Sequence, residues 1–246
     1  MRRVLVGLVA AWVVVQAQTV RVATAANMGY ALPALIDTFK RDHPDADIVM
    51  HIGGSGKLRA QIENGAPFDL FLSANTSYPE ALAKAGKTIG QPVVYARGVL
   101  VLLSAKGASV DAKLQVLRGD AYRRIAVANP RTAPYGVAAV DALRNAGVYD
   151  DVQSKLVYGE SISQTVIYTL KAADGGLIAK SAMYAPKLQG FAEGKAWVEV
   201  DASLYRPIEQ GMALLPHAKG NPTARDFFAF LQSKEAKAVL HRFGYR

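Results

Sequence analysis

Four short loops contain the residues of this sequence that are best suited to bind a ligand. The loops are residues 25–29, 53–57, 133–136 and 159–163, and each lies between a predicted strand and a predicted helix. In open α/β sheets, ligands bind at the carboxyl ends of the strands. A helix that begins there presents unpaired N–H groups and a partial positive charge, which favour an anion. The four loops therefore predict an anion-binding site.

The glycine-rich loop at residues 53–57 allows a backbone to approach a ligand closely, and Ser55 adds a hydroxyl donor. The same run excludes two catalytic motifs. A phosphate-binding loop of nucleotide hydrolases requires Gly at position 51 and Ser or Thr at 58, where His51 and Leu58 stand. A nucleophile elbow requires Gly at position 57, where Lys57 stands.

Each loop also has a simpler interpretation. Asn27 and Ser55 are typical helix caps, and Tyr135 next to a turn is typical of a packing aromatic. No Ser/His/Asp order or carboxylate pair indicates an enzyme. Cysteine is absent, which excludes disulfides and thiolate metal sites, and the four histidines stand far apart. We therefore predict a non-enzyme with no cofactor and no direct cation ligands.

The N-terminus predicts export. Arg2 and Arg3 precede an apolar run over residues 4–15, and small residues at 15 and 17 favour cleavage of a signal peptide after Ala17. Twelve apolar residues are fewer than the roughly 20 that a membrane-spanning helix needs, although an N-terminal anchor is the alternative. Loss of the two arginines lowers the formal net charge from +9 to +7. The remaining cations are dispersed, which favours steering of anions over nucleic-acid binding.

From Val20 onward, short apolar runs alternate with amphipathic stretches, which predicts βαβ units and an α/β fold with mixed, mostly parallel sheets flanked by helices. The predicted strands are 20–25, 47–52, 69–73, 92–96, 99–104, 124–128, 155–158, 176–179 and 205–215. The predicted helices are 32–41, 58–64, 78–85, 136–146, 163–172, 223–232 and 235–243.

Two places in this order predict a crossing between lobes. Residues 92–104 hold two extended runs with no helix between them, and residues 205–215 form a second long extended run. We therefore predict a first lobe of residues 18–97 and 208–246 and a second lobe of residues 98–207, after a leader of residues 1–17. A single doubly wound domain is the alternative.

The order of the motifs resembles the periplasmic molybdate-binding proteins of ABC transporters, which are type II periplasmic solute-binding proteins. The resemblance rests on residues 22–27, 53–56, 61–74, 125–130, 133–136, 227–231 and 242–245, and residues 61–74 are its most specific part. It covers nearly all of the mature chain. It implies a two-lobed fold that closes at a hinge, with an oxyanion in the cleft.

Carried over by position, the resemblance implies that Asn27 and Ser55 contact the anion from the first lobe, and Tyr135 and Ile162 from the second. Ile162 has only its backbone N–H to offer. Many members of the family carry a ligating tyrosine where Ala179 stands and a serine where Asn27 stands. A minority has Asn and Tyr at the positions of Asn27 and Tyr135, and this chain resembles that minority. The resemblance implies that Tyr135 replaces the missing donor.

The resemblance implies capture of molybdate or tungstate in the periplasm and delivery to the membrane permease of an ABC importer. We expect a monomer that binds no nucleic acid. The same fold binding sulfate, phosphate or chromate is the main alternative, because the sequence does not reveal the size of the cleft. Ferric iron would require a tyrosine cluster with a carboxylate or histidine, and Tyr135 has no such partner in the sequence.

Overall fold

The computed structural model describes residues 19–246, so the predicted leader and its cleavage site at Ala17 lie outside the described residues. The strands are β1 (Val20–Ala25), β2 (Ile48–Gly53), β3 (Leu70–Leu72), β4 (Ile89–Gly98), β5 (Leu100–Ser104), β6 (Ile125–Ala128), β7 (Leu156–Gly159), β8 (Gly175–Ala179), β9 (Trp197–Glu199) and β10 (Ile208–Leu214). The helices are α1 (Leu32–Phe39), α2 (Ser55–Glu63), α3 (Ser77–Lys84), α4 (Pro134–Asn145), α5 (Tyr149–Val152), α6 (Ile162–Lys171), α7 (Pro222–Phe230) and α8 (Lys234–Arg242). Within this part of the chain, no helix is long and apolar enough to cross a membrane.

The strands form two five-stranded sheets with the same topology. The first sheet has the order β2-β1-β3-β10-β4 and the second has the order β7-β6-β8-β5-β9. In the first sheet β10 runs antiparallel to both neighbours, and in the second sheet β5 does so. The other strands of each sheet share one direction. The predicted fold class, with mixed and mostly parallel sheets flanked by helices, is confirmed.

Helices pack against each sheet to form two lobes. Helices α1, α2, α3, α7 and α8 contact the first sheet or each other, and α4, α5 and α6 contact the second sheet or each other. Helix α1 shows the expected pattern, because Leu32, Leu35, Ile36 and Phe39 are buried on one face. Strand β5 is buried at every residue, as a central strand covered on both faces requires.

The chain passes between the two sheets twice. Strand β4 ends at Gly98 in the first sheet, and β5 begins at Leu100 in the second. The return passes from β9 in the second sheet to β10 in the first. The short strand β9 and the short helix α5 were not predicted.

One difference from the sequence prediction concerns the start of α2. The predicted start was residue 58, but the helix begins at Ser55 after Gly54, whose backbone is extended with φ −67° and ψ 136°. The glycines of this loop disfavour a helix by propensity, which is why the prediction placed the start too late. Helices α4 and α6 also begin one or two residues earlier than predicted, so the site residues lie in first turns.

Candidate functional site

One small cavity between the two lobes is lined by all four residues that the sequence analysis selected. Asn27 and Ser55 reach it from the first lobe, and Tyr135 and Ile162 reach it from the second. The other lining residues are Ala25, Ala26, Gly53, Gly54, Ala74, Ala133, Pro134 and Ser161. The cavity has a volume of about 10 Å³, which is about the smallest that can hold one water molecule. The residues that line the cavity therefore lie close together in this structure.

Three helices begin at this cavity. Ser55 is the first residue of α2, Tyr135 is the second of α4, and Ile162 is the first of α6. Main-chain N–H groups in a first turn have no acceptor within their own helix. The helix dipoles add partial positive charge at the same place. The arrangement therefore presents several donors and a favourable potential to an anion.

Glycine sets the position of Tyr135. A Cβ atom at Gly136 would lie 2.2 Å from the carbonyl oxygen of Ala128, the last residue of β6. Only glycine lets the first turn of α4 pack this closely on the end of that strand. Pro134 fits the first helical position because its missing N–H would have no intrahelical acceptor there.

Ser55 is buried and is not the cap of α2, because Gly54 takes that position. Its Oγ accepts a hydrogen bond from the main-chain N–H of Ala74 at 3.1 Å. A hydroxyl that accepts one hydrogen bond still has its own hydrogen to donate. The interpretation of Ser55 as an ordinary side-chain cap is therefore wrong, and its hydroxyl hydrogen can serve a ligand.

Asn27 does not act as a side-chain cap either. Its Nδ2 donates to Oε1 of Gln210 at 3.0 Å and to the hydroxyl of Tyr245 at 2.9 Å. These two bonds use both amide hydrogens. Among the described residues, no acceptor is seen for the main-chain N–H of Asn27. In this arrangement the main chain of Asn27, rather than its amide, has a hydrogen to offer to the cavity.

The hydroxyl of Tyr135 is also engaged with protein. It accepts from Nε2 of Gln210 at 3.4 Å, and it packs so closely on Gly98 that a Cβ atom there would lie 2.1 Å away. Burial raises the pKa of Tyr135 well above its usual value of about 10.

Ala179 is fully buried in β8 and is not among the lining residues.

Among the described residues, no charged side chain lines the cavity. None of its lining residues is Lys, Arg, His, Asp or Glu, and Tyr135 stays neutral at physiological pH because of its raised pKa. Within residues 19–246, no three His, Asp or Glu side chains are grouped so that they could hold a metal ion. An anion in this cavity would therefore be held by neutral hydrogen-bond donors and helix dipoles alone.

The two lobes touch each other around the cavity. The N–H of Gly56 in α2 donates to the carbonyl oxygen of Thr132 at 3.0 Å. On another side, Oγ of Ser181 donates to the carbonyl oxygen of Asn27 at 2.8 Å. The cleft between the lobes is therefore closed around the cavity in this structure.

The sequence analysis missed Gln210, Tyr245 and Ser181, which support Asn27 and Tyr135. One signal was available, since Gln210 is a polar residue within the otherwise mostly apolar strand β10 and is fully buried. A buried amide in a strand needs hydrogen-bond partners. The sequence did not indicate which partners those would be.

Two α/β lobes that close on a small cavity lined by helix N-termini are typical of a solute-binding protein. The family described as "Bacterial extracellular solute-binding protein" matches residues 20–246. The chain belongs to this family.

Individual relatives carry a more specific description. The molybdate-binding protein ModA of Azotobacter vinelandii is 39% identical over 233 residues, which cover 94% of this chain and 90% of the relative. ModA of Rhodobacter capsulatus is 38% identical over 195 residues, covering 78% and 75%. The solved structure of the periplasmic molybdate-binding protein of Azotobacter vinelandii superposes with a TM-score of 0.85 and 32% identity, covering 92% of this chain and 98% of that one.

Proposed function

We propose that this protein captures molybdate or tungstate outside the cytoplasmic membrane and delivers it to the permease of an ABC importer. The observation that carries the proposal is the single cavity at which four separate loops from two lobes meet. The relatives named as molybdate-binding proteins cover nearly the whole chain. Their description supports the choice of ligand.

The proposed donors are the main-chain N–H groups of Asn27, Ser55, Tyr135 and Ile162 and the hydroxyl of Ser55. The first turns of three helices supply three of these N–H groups without an internal competitor. Hydrogen bonds to a charged acceptor are stronger than those between neutral groups. The main-chain N–H of Tyr135 would thus replace the donor that is missing at Ala179. The hydroxyl of Tyr135 remains bonded to Gln210.

The lining residues also favour some oxyanions over others. Phosphate keeps at least one proton near neutral pH and needs an acceptor for it, and none of the described residues that line the cavity has a carboxylate. Molybdate, tungstate and sulfate are fully deprotonated in this range, and chromate is mostly so. Sulfate and chromate therefore remain the alternative ligands. Molybdate and tungstate are larger than both, so a rigid closed cleft cannot serve all four equally.

We further propose that residues 1–17 form a signal peptide cleaved after Ala17, which places the mature protein in the periplasm. The lobes then comprise residues 18–97 with 208–246, and residues 98–207. The proposed protein is a monomer with no affinity for nucleic acid. Its excess of cations serves to attract anions rather than to bind a phosphate backbone.

Calorimetric titration of residues 18–246 with molybdate, tungstate, sulfate, phosphate and chromate tests the proposal. We expect molybdate and tungstate to bind at least 100-fold more tightly than sulfate, a free-energy difference of about 2.7 kcal/mol. Equal or tighter binding of sulfate would replace the proposed ligand by the sulfate alternative. Binding of none of the five would remove the oxyanion function altogether.

A further inference from the structure

A cluster of buried polar side chains lies next to the anion cavity, and the proposed ligand contacts do not use it. The cluster consists of Asn27, Tyr95, Tyr135, Gln210 and Tyr245, each of which is at most 4% exposed. Polar groups this deeply buried are costly unless they are hydrogen-bonded. Their partners therefore show what the cluster does.

Gln210 is the centre of this buried cluster. Its Oε1 accepts from Nδ2 of Asn27 at 3.0 Å and from the hydroxyl of Tyr95 at 3.1 Å. Its Nε2 donates to the hydroxyl of Tyr135 at 3.4 Å. The register of β10 against β4 shifts between Gln210 and Gly211, and such bulges commonly redirect a side chain. One amide thus contacts two of the residues that line the cavity.

These contacts divide between the lobes. Asn27 follows β1, Tyr95 lies in β4 and Gln210 lies in β10, and all three strands belong to the first sheet. Tyr135 lies in the first turn of α4, which packs on the second sheet. The bond between Gln210 and Tyr135 therefore crosses between the lobes. It can form only when the lobes are together, whereas the bonds to Asn27 and Tyr95 stay within one lobe.

The close packing around the hydrogen bond between Gln210 and Tyr135 requires a glycine at position 98. Gly98 is the last residue of β4, immediately before the chain passes to the second lobe. A Cβ atom at Gly98 would lie 2.1 Å from the Tyr135 hydroxyl and 2.7 Å from Nε2 of Gln210. The absence of a side chain at the crossing point therefore makes room for both groups.

We propose that Gln210 is a positioning residue that couples closure of the cleft to anion binding. It holds Asn27 in the first lobe and engages Tyr135 in the second, and so fixes two of the four loops relative to each other. This inference rests on the proposed oxyanion function. It assigns a role in binding to a residue that does not contact the anion.

The test is a double-mutant cycle with Tyr135→Phe, Gln210→Met and the double variant. Tyr135→Phe keeps the ring and the main-chain N–H and removes only the hydroxyl. Calorimetry gives the Kd for molybdate, stopped-flow tyrosine fluorescence gives its dissociation rate, and heating the ligand-free protein gives its Tm. Tyr95→Phe is the matched control, because it removes a partner of Gln210 that lies within the first lobe.

We expect Tyr135→Phe to weaken binding by about two- to tenfold, as the loss of one neutral hydrogen bond would. The change should appear in the dissociation rate, since the bond forms after encounter. In the double variant, loss of the Tyr135 hydroxyl should cost little beyond Gln210→Met. Tyr95→Phe should mainly lower the Tm of the ligand-free protein, with little change in the Kd for molybdate.

Two results would overturn the inference while leaving the oxyanion function intact. One is a wild-type Kd in Tyr135→Phe, and the other is fully additive effects of the two substitutions. Because Tyr135→Phe is nearly isosteric, it tests the coupling even if Gln210→Met fails to fold. If the wild-type protein itself bound no oxyanion, the proposed function would fail first.

Discussion

In the proposed site, the residues at the cavity act more through their main chains than through their side chains. Both amide hydrogens of Asn27 are donated to other protein groups, the hydroxyl of Tyr135 accepts from Gln210, and the side chain of Ile162 has no donor. Such a site depends on where the backbone is held. The side chains matter because they fix the backbone and exclude water.

Substitutions at Asn27 distinguish its contribution from that of a simple cap. Asn27→Ala keeps the main-chain N–H but leaves Gln210 and Tyr245 with a lost partner, which costs about 1–3 kcal/mol of folding stability. Asn27→Asp places a carboxylate beside a dianion in a cavity without cations. Such like-charge contact costs several kcal/mol, so calorimetry should detect no molybdate binding at pH 7.

The order of the two Asn27 variants is the informative result. We expect measurable binding in Asn27→Ala and none in Asn27→Asp, with a folded ligand-free protein in both cases as judged by thermal melting. A residue that serves only as a cap would give the reverse order, since Asp caps about as well as Asn. Near-native affinity in Asn27→Asp would remove this residue from the site.

Ser55 is the one proposed ligand contact that uses a side-chain donor. Ser55→Ala removes the hydroxyl and keeps the main-chain N–H, so binding should weaken by about 1.5–3 kcal/mol, the range for a hydrogen bond to a charged group. Calorimetry with molybdate measures the loss.

Ser233→Ala is a matched control for Ser55→Ala. Ser233 caps α8 by accepting from the N–H of Ala236 and lies far from the cavity in the fold. Its loss should lower stability by about 1 kcal/mol and leave the Kd unchanged. Equal Kd values in both serine variants would show that the Ser55 hydroxyl does not touch the anion.

At the level of helices and strands, most of the architecture could be predicted from periodicity. The apolar face of α1 and the buried runs of β1 and β5 follow from spacing that the sequence displays directly. The start of α2 could not be predicted, because glycine has low helix propensity and the packing that stabilises Ser55–Glu63 is tertiary. The roles of Gln210 and Tyr245 depend on contacts over 183 and 218 residues, which no local pattern reveals.

The N-terminus of α2 also limits how closely the lobes approach. A Cβ atom at Gly54 would lie 2.8 Å from the carbonyl oxygen of Glu160, which belongs to the opposite lobe. The backbone of Gly54 is one that alanine can adopt. Gly54→Ala should therefore leave the ligand-free protein folded but hinder closure, with at least a tenfold rise in the Kd for molybdate by calorimetry.

Gly190→Ala provides a control for the added methyl group. A Cβ atom at Gly190 would have no other atom within 4 Å, and this glycine does not adopt a positive φ. Its substitution should change neither the Kd nor the Tm appreciably. If Gly54→Ala bound molybdate as the wild type does, the contact with Glu160 would not limit closure.

On the scale of the whole molecule, the two lobes share one topology, and the ligand cavity exists only where they meet. A ligand that binds only this closed, folded form must stabilise the protein by mass action. At a ligand concentration of about 100 times the Kd, the gain is about 2.7 kcal/mol. For a chain of this size that raises the Tm by roughly 5–10 °C.

We therefore expect molybdate and tungstate to raise the Tm of residues 18–246 by this amount, while sulfate at the same concentration does little. Differential scanning calorimetry measures the shift, and sodium chloride at matched ionic strength is the control for nonspecific salt effects. An equal rise with sulfate would show that the cleft accepts oxyanions without regard to size.

Three fully buried tyrosines make the stability of the whole molecule sensitive to alkaline pH. Burial raises the pKa of Tyr95, Tyr135 and Tyr245 above the usual value of about 10. In the unfolded chain these phenols lose their protons near pH 10, whereas in the folded protein they keep them. The unfolded state therefore binds fewer protons above that pH, and stability must fall as the pH rises.

The expected fall is steep because the three groups act together. Each tyrosine contributes about 1.4 kcal/mol per pH unit between its unfolded and folded pKa, so these three should lower the free energy of unfolding by about 4 kcal/mol per unit above about pH 10. The pKa values of Tyr30, Tyr122, Tyr158 and Tyr205 are also raised, so the whole slope should be steeper than this. Urea unfolding of the ligand-free protein at several pH values measures this slope. Tyr95→Phe removes one titrating group and should reduce the slope by about 1.4 kcal/mol per pH unit, whatever it does to stability at pH 7. A slope that is unchanged in this variant would mean that Tyr95 ionises in the folded protein as readily as in water, contrary to its burial in the cluster around Gln210.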